Sequence, residues 1–211
     1  MKSVDIKKDF RDLYRAGSRV EEVNVEPGTY LSVDGQGAPG AEAFSTAIQA
    51  VYSVAYTIKF GLKRAGVLDF KVPPLEVQWL VEDPKNTPMS EWRWRALLRV
   101  PDGVTAVHVS DAHKSLQTRK GVDASRVRRT SWRGGRELQT LHVGPYDLVA
   151  EAYKKLFAHA RGMNAKPRGN CTEVYLNDPR RTAPAKLKTI VRMPIVVARA
   201  SEGGGKTRKR R

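Results

Sequence analysis

The stretch that decides the fold is residues 141–179, LHVGPYDLVAEAYKKLFAHARGMNAKPRGNCTEVYLNDP, because it holds a complete strand, turn, helix and strand unit. Residues 141–143 form a short apolar strand that ends at Gly144-Pro145, where the fixed φ of proline starts a turn. A helix is predicted over 148–162 and a second strand over 172–176. Seven residues of the helix have the i, i+3/i+4 spacing that places one apolar face on a sheet: Leu148, Val149, Ala152, Tyr153, Leu156, Phe157 and Ala160.

Two side chains of the second strand carry ionisable groups, which a hydrophobic core does not require. Side chains alternate along a strand, so Glu173 and Tyr175 share one face. If Val174 and Leu176 pack under the helix, the carboxylate and the phenol look away from it. Glu173 and Tyr175 can line a groove only if another sheet surface continues the face on which they lie. The first half of the chain is predicted to supply that surface.

The first half repeats this design. A strand that ends near Val33, an amphipathic helix over 41–65 and a strand over 75–81 follow one another in the same order. Short matches support an internal repeat, although each is short enough for coincidence: Gly28-Thr29-Tyr30 parallels Gly144-Pro145-Tyr146, Glu76-Val77 parallels Glu173-Val174, and Asp83-Pro84 parallels Asp178-Pro179.

Each half is predicted to close with one more strand, over 92–100 and over 189–197. Between the halves we expect a short strand over 104–109, a polar helix over 110–120 and a hairpin. The hairpin joins 127–132 to 137–143 through Gly134-Gly135. The prediction is an α+β fold with two pseudo-symmetric strand-helix-strand-strand repeats, about 18–109 and 125–198, in one domain over 1–198 that begins with a helix over 5–15.

Composition and charge narrow the class of protein. The 211 residues are 40% hydrophobic and 28% charged, with a formal net charge of +16. The single cysteine, Cys171, excludes a disulfide framework and indicates a reducing compartment. We find no apolar run long enough for a membrane span and no signal peptide at residues 1–3, so we expect a cytoplasmic protein.

The basic residues are unevenly spread. Five of them follow Gly203-Gly204-Gly205 in a tail over 199–211 that we expect to be disordered, and five arginines lie within 126–136. Clustered Lys and Arg bind nucleic-acid phosphates, whereas dispersed charge sets solubility or attracts polyanions weakly. Both interpretations stay open.

The residue types that could carry chemistry are acidic and aromatic. The four histidines lack metal-ligand spacing, Cys171 has no partner thiol, and the glycine triplet does not join a strand to a helix. We therefore expect neither a metal nor a cofactor. A carboxylate among aromatic rings has a raised pKa, and it can exchange protons near neutral pH or bind a cation. The candidates are Glu76, Glu173, Tyr146, Tyr175, Trp79, Trp92 and Trp94.

Each candidate also has a purely structural interpretation. Glu173 could be a surface residue on an edge strand, or could pair with one of the many arginines. Trp92 and Trp94 share a strand face, and tryptophans in that arrangement belong to a core more often than to a ligand site.

The chain resembles a known family at HVGPYD (142–147), AYKKLF (152–157), EVYLNDP (173–179), PPLEVQW (73–79) and WRWRALLRVPDGVT (92–105). These motifs are similar to those of the GyrI-like, or gyrase-inhibitor-like, small-molecule-binding family, and the resemblance runs from about residue 5 to 198. It implies a tandem SHS2-like fold, shared with effector domains of multidrug regulators. It also implies a central cleft for planar aromatic or cationic molecules, with Glu173 at its centre.

The PLE and WxW motifs further resemble a stand-alone branch that hydrolyses cyclopropane-bearing, DNA-alkylating natural products. This resemblance implies Glu173 and Tyr146 as catalytic residues. The chain departs from the usual PLEGLWW, because PLEVQWL has Leu80 in place of the second aromatic, which leaves substrate scope and activity open. The predicted ligand-binding residues are Trp79, Trp94, Tyr175, Glu76 and Tyr30.

Three functions follow as hypotheses. The first is a small-molecule-binding protein that also hydrolyses cyclopropane-bearing toxins. The second is a non-catalytic drug sponge or the effector module of a transcription regulator. The third is a nucleic-acid or gyrase-associated protein that works through its basic surface, including weak polyanion binding by the tail.

Overall fold

The computed structural model describes residues 2–120 and 122–197, and the predicted tail over 199–211 lies outside them. The fold has the predicted α+β class, with helices packed on one large antiparallel sheet. The elements are β1 (Lys2–Asp5), α1 (Ile6–Asp9), β2 (Glu21–Val25), β3 (Gly28–Gln36), α2 (Glu42–Arg64), β4 (Leu68–Lys71), β5 (Leu75–Trp79), β6 (Arg93–Val100), α3 (Ala106–Lys120), β7 (Arg128–Trp132), β8 (Gly135–Val143), α4 (Ala150–Gly162), β9 (Ala165–Pro167), β10 (Thr172–Tyr175) and β11 (Lys188–Val197).

The main sheet has a symmetrical strand order. The order is β2-β8-β11-β10-β5-β6-β3-β7, with β9 added to β11, while β1 and β4 form a separate parallel pair. The run β8-β11-β10 corresponds to β3-β6-β5 about the central β10–β5 pair. In each half a long helix follows the outer strand, since α2 follows β3 and α4 follows β8. This order fits two repeats, and their origin as duplicates stays a prediction.

Two short loops connect strands that lie at opposite ends of the sheet. β2 reaches β3 through Glu26-Pro27, and β7 reaches β8 through Arg133-Gly134, although the linked strands lie near opposite ends of the order. Gly134 has a φ of 66°, and a Cβ there would lie 2.0 Å from the carbonyl oxygen of Val25. Only glycine fits this crossing. The predicted hairpin is therefore wrong, because β7 pairs with β3 while β8 pairs with β2 and β11.

Both long helices lie on the same face of the sheet. Val77, Glu173 and Val191 are directly opposite one another across β5, β10 and β11, so their side chains point to one side. Val77 belongs to the core under α2, and Val191 belongs to the core under α4. The helices contribute their apolar stripes to these cores: Phe44, Ala47, Val51, Val54, Ala55, Ile58 and Leu62 from α2, and Ala152, Leu156 and Ala160 from α4.

The N-terminal segment covers the opposite face. Helix is interrupted at Phe10 within the segment predicted as one helix over 5–15, and Ile6, Leu13 and Tyr14 pack against Val174. The condition that Val174 packs under the long helix is therefore not met, because Val174 packs under the N-terminal segment. Glu173 and Tyr175 do share a face, but that face is the one that carries α2 and α4.

One connection differs from its prediction. Residues 104–109 were predicted as a strand, yet α3 begins at Ala106. Val109, Ala112 and Leu116 are buried, and their spacing of three and four residues is that of a helix. The predicted end of the first repeat at 109 therefore falls inside α3. Within the residues that the structure describes, no helix is both long and apolar enough to cross a membrane.

Candidate functional site

A cleft of about 2180 Å³ opens between α2 and α4 on the helix-bearing face of the sheet. Its floor is formed by the central strands β5 and β10, where the two halves of the molecule meet. One wall comes from α2 and the other from α4 with the turn that precedes it. Ligand sites are typically concave and mostly apolar, with a few polar groups that converge.

Glu173 lies at the floor of this cleft. Only 5% of the residue is exposed, and its two carboxylate oxygens accept hydrogen bonds from two phenols. The hydroxyl of Tyr153 donates to Oε1 over 2.7 Å, and the hydroxyl of Tyr175 donates to Oε2 over 2.8 Å. Among the described residues no Lys, Arg or His forms an ion pair with Glu173. The structure thus contradicts both structural interpretations of Glu173, the surface residue and the arginine pair.

The secondary structure explains how the three side chains meet. Glu173 and Tyr175 are two positions apart on β10, so strand alternation points both into the cleft. Tyr153 follows Ala152, whose small side chain lets α4 lie close to the sheet. The phenol at the next helix position therefore extends sideways over the floor.

Burial raises the pKa of Glu173, because desolvation disfavours the charged carboxylate. The hydrogen bonds from Tyr153 and Tyr175 oppose this rise, as does the nearby indole of Trp79. Burial and the neighbouring carboxylate also raise the pKa of both phenols well above the usual value. Tyr153 and Tyr175 therefore remain protonated and act as hydrogen-bond donors at neutral pH.

Tyr146 lies beside this group and lines the cleft. Its ring meets the ring of Tyr175 edge to face, with centroids 5.3 Å apart. Burial first, and then the charge of Glu173, raise the pKa of Tyr146. The turn before it is fixed by His142, whose Nε2 lies 2.9 Å from the carbonyl oxygen of Pro145. The Gly144-Pro145 turn predicted from the sequence thus delivers Tyr146 to the site.

An aromatic group closes one end of the cleft. Trp79, at the end of β5, stacks on Phe44 with centroids 5.4 Å apart and an interplanar angle of 27°. Trp92 meets Trp79 edge to face at 5.8 Å. All three residues line the cleft; Trp79 and Trp92 are half-buried and offer ring area for a flat molecule, while the buried Phe44 supports Trp79 from behind.

Three of the predicted ligand-binding residues do not line the cleft. Trp94 is 1% exposed and packs edge to face against Phe44 at 5.1 Å, so it is a core residue. Trp92 is two residues earlier and would share its strand face, but Phe44 covers Trp94, whereas Trp92 lies just before β6 begins.

Glu76 and Tyr30 point to the opposite face of the sheet. Glu76 lies opposite Val174, not Glu173, and antiparallel partners share a face. Its carboxylate accepts hydrogen bonds from the buried Arg192 and from Tyr14. Tyr30 packs against Trp132 on the same side. The sequence match of Glu76-Val77 with Glu173-Val174 is therefore out of register by one residue.

Several site residues were not predicted. Tyr153 looked like part of the apolar stripe of α4, and Phe44, which does belong to the core under α2, also borders the cleft. A third group is the aromatic row, which we define as Tyr52, Tyr56 and Phe60 of α2, all of which line the cleft. Their spacing of four residues was the available signal, because it puts them on one side of a helix.

The arginine cluster over 126–136 is partly engaged in the fold. Arg129 donates to the carbonyl oxygen of Val104, and Arg136 pairs with Glu22. Over residues 2–120 and 122–197, no group of three or more His, Cys, Asp or Glu side chains is placed to hold a metal ion.

Together, the cleft and its buried acid define an α+β small-molecule-binding domain. The model of the GyrI-like small molecule binding domain matches residues 18–196. The chain therefore belongs to the GyrI-like family. No protein in the curated set matches the chain.

Two solved structures from Listeria innocua are similar over most of this chain. One, described as a hydrolase, has a TM-score of 0.82 at 31% identity and covers 92% of this chain and 100% of its own. Another, an uncharacterized conserved protein, has a TM-score of 0.86 at 32% identity, with the same coverage of 92% and 100%. The C-terminal domain of EcmrR has a TM-score of 0.57 at 11% identity, covers 85% of this chain and 98% of its own, and shares the fold alone.

Proposed function

We propose that this protein binds flat, apolar or cationic small molecules in the cleft and hydrolyses those that carry a strained cyclopropane ring. The observation that carries the proposal is Glu173, a buried carboxylate whose partners are phenols rather than a cation. A buried acid without a counter-charge is costly, so a ligand that brings positive charge relieves that cost. The half-buried rings of Trp79 and Trp92 supply the matching apolar surface.

In the hydrolytic reaction, Glu173 takes a proton from water as the water oxygen attacks a ring carbon of the cyclopropane. The attacked carbon–carbon bond breaks, and its electron pair moves through the conjugated system to a carbonyl oxygen. Tyr146 donates a hydrogen bond to that oxygen as it becomes negative. Glu173 then releases its proton to solvent, and the negative oxygen takes up a proton from solvent. The product is therefore the substrate plus one water.

Two features support catalysis over simple binding. Burial raises the pKa of Glu173 toward the range in which a general base is effective near neutral pH. The similarity to the Listeria innocua structure described as a hydrolase covers nearly the whole chain.

The decisive test is turnover of a spirocyclopropyl cyclohexadienone, a model electrophile, by the wild type and by Glu173→Gln. We expect a loss of about 100-fold in kcat/KM in the variant, the size typical of a general base. Glu91→Gln, an exposed acid outside the cleft, is the matched control. Equal rates for the wild type and Glu173→Gln end the enzymatic proposal.

A second candidate is a non-catalytic binder, either a drug sponge or an effector module. It is favoured by the hydrogen bonds to both oxygens of Glu173, because they stabilise the charged carboxylate, oppose the rise in its pKa and so weaken it as a base. Tight stoichiometric binding of the electrophile without turnover would select this candidate.

A further inference from the structure

The aromatic row of α2 includes two large rings that are exposed to the cleft and are not needed for the core. Neighbouring rings in the row lie 6.3 and 6.1 Å apart, with an interplanar angle of 23° in each pair. Tyr56 is 43% exposed and Phe60 is 48% exposed. Contacts between helix residues four apart contribute little by themselves, so three aligned aromatic rings along an open cleft point to a ligand.

The row begins beside the acidic floor. Tyr175 lies directly opposite Leu75 on the central strand pair, and Tyr52 and Tyr175 both pack against the core cluster that contains Leu75. Burial raises the pKa of Tyr52 to about 12, so this inner ring is a neutral, enclosed surface. Tyr56 and Phe60 then continue outward along α2, one helical turn at a time.

The outer end of the row is basic. Arg64 lies one turn beyond Phe60 on the same side of α2, and it lines the cleft together with Lys7. Among the residues described, no carboxylate lies within ion-pair distance of Arg64. The cleft therefore has an acid at its inner end and a cation at its outer end.

The volume of the cleft, about 2180 Å³, also exceeds the roughly 300–1,000 Å³ that holds one drug-sized ligand. We propose that the cleft takes elongated, two-unit ligands. A flat cationic or neutral head lies over Glu173, and a second flat arm lies along the aromatic row with a neutral or anionic end toward Arg64. This inference rests on the proposed binding function and specifies its ligand class.

Three related probes test the inference by isothermal titration: 1-methylquinolinium, its 4-styryl derivative, and the same derivative with a para-carboxylate on the styryl ring. We expect the styryl arm to tighten binding by about tenfold, because it stacks on the row. We expect the carboxylate to add roughly another two- to fivefold through Arg64.

Variants assign each gain to its residues. The double substitution Tyr56→Leu with Phe60→Leu keeps apolar area but removes the flat faces, so it should abolish the gain from the arm and leave the parent cation unaffected. Arg64→Gln should abolish only the carboxylate gain. Val107→Ala, which removes an exposed apolar side chain of α3 outside the cleft, is the matched control.

The outcomes separate this inference from the proposed function. If the parent cation binds in a Glu173-dependent way but the arm adds nothing, the two-unit ligand is ruled out and the proposed function stands. The same holds if the gain from the arm survives the double substitution. If none of the three probes binds, both proposals fail.

Discussion

Two buried glutamates lie on adjacent strands of the same sheet and have opposite roles. Glu76 faces the N-terminal segment, where Arg192 and Tyr14 hydrogen-bond to its carboxylate. Glu173 faces the cleft, where two phenols donate hydrogen bonds to its carboxylate and no cation among the described residues forms an ion pair with it. Both are almost fully buried, so burial does not distinguish them. The difference is the counter-charge: Glu76 is neutralised inside the fold, whereas Glu173 is available to a ligand.

The largest expected effect comes from removing the counter-charge of Glu76. Arg192→Ala leaves a buried carboxylate unpaired, which typically costs about 3–5 kcal/mol of the free energy of unfolding. Urea denaturation at pH 7 measures it. Arg136→Ala breaks the exposed pair with Glu22 and serves as the control, with an expected cost of about 0–1 kcal/mol. Equal costs for the two variants would show that Arg192 does not neutralise Glu76.

A second prediction concerns Glu137, which lies near Arg192 on the same face. Burial raises the pKa of Glu137 from 4.5 to about 7. Between these two pH values the folded protein holds a proton on Glu137 that the unfolded chain releases. The contribution of Glu137 to the free energy of unfolding is therefore fully present below pH 4.5 and is lost as the pH rises through about 7.

Glu137→Gln should remove this pH dependence and stabilise the protein at pH 8, by on the order of 2–3 kcal/mol. Urea midpoints at pH 4.5, 6 and 8 for both proteins check it. A wild type whose stability does not change over this range would contradict the prediction.

The third prediction tests whether Glu173 binds cationic ligands in the cleft. Glu173→Gln should lower affinity for 1-methylquinolinium by about 10- to 100-fold at pH 8, because a close charge pair shielded from water contributes at least about 1.5 kcal/mol. Its effect on the free energy of unfolding should stay below about 1 kcal/mol, because no cation loses its partner. Titration calorimetry and urea denaturation separate the two quantities.

The pH dependence of this binding has a definite sign. The cation binds the ionised form of Glu173, whose pKa is raised above 4.5 by burial. Affinity should therefore be full at high pH and fall as the pH drops through the raised pKa, while Glu173→Gln shows no such fall. A binding curve whose midpoint lies at or below pH 4.5 would argue against a buried carboxylate as the binding group.

The smallest effect is expected for one phenol. Tyr153→Phe removes a donor that stabilises the charged carboxylate, so the midpoint of cation binding should move to higher pH. Affinity at pH 7 should fall by about fivefold, equivalent to about 1 kcal/mol. Tyr14→Phe, which removes the phenol on Glu76 instead, should leave binding unchanged. Similar losses in both variants would mean that the two faces are energetically coupled.

Parts of the site could be predicted from local pattern. Strand alternation placed Glu173 and Tyr175 together, and the Gly144-Pro145 turn located Tyr146. The side of the sheet on which they lie could not be predicted, because both sides are covered, one by the long helices and the other by the N-terminal segment. Trp92 and Trp94 show the same limit, since only the position of Phe44 decides which of them is buried.

The sequence alone determined the α+β class, the long helices α2 and α4, and the pairing of an acid with aromatic side chains on β10. These features follow from periodicity and turn chemistry within short segments. Tertiary structure decided which face holds the cleft and which glutamate is neutralised. The partners of Glu76 lie 62 and 116 residues away, so the counter-charge that separates it from Glu173 is set by strand register and not by neighbouring sequence.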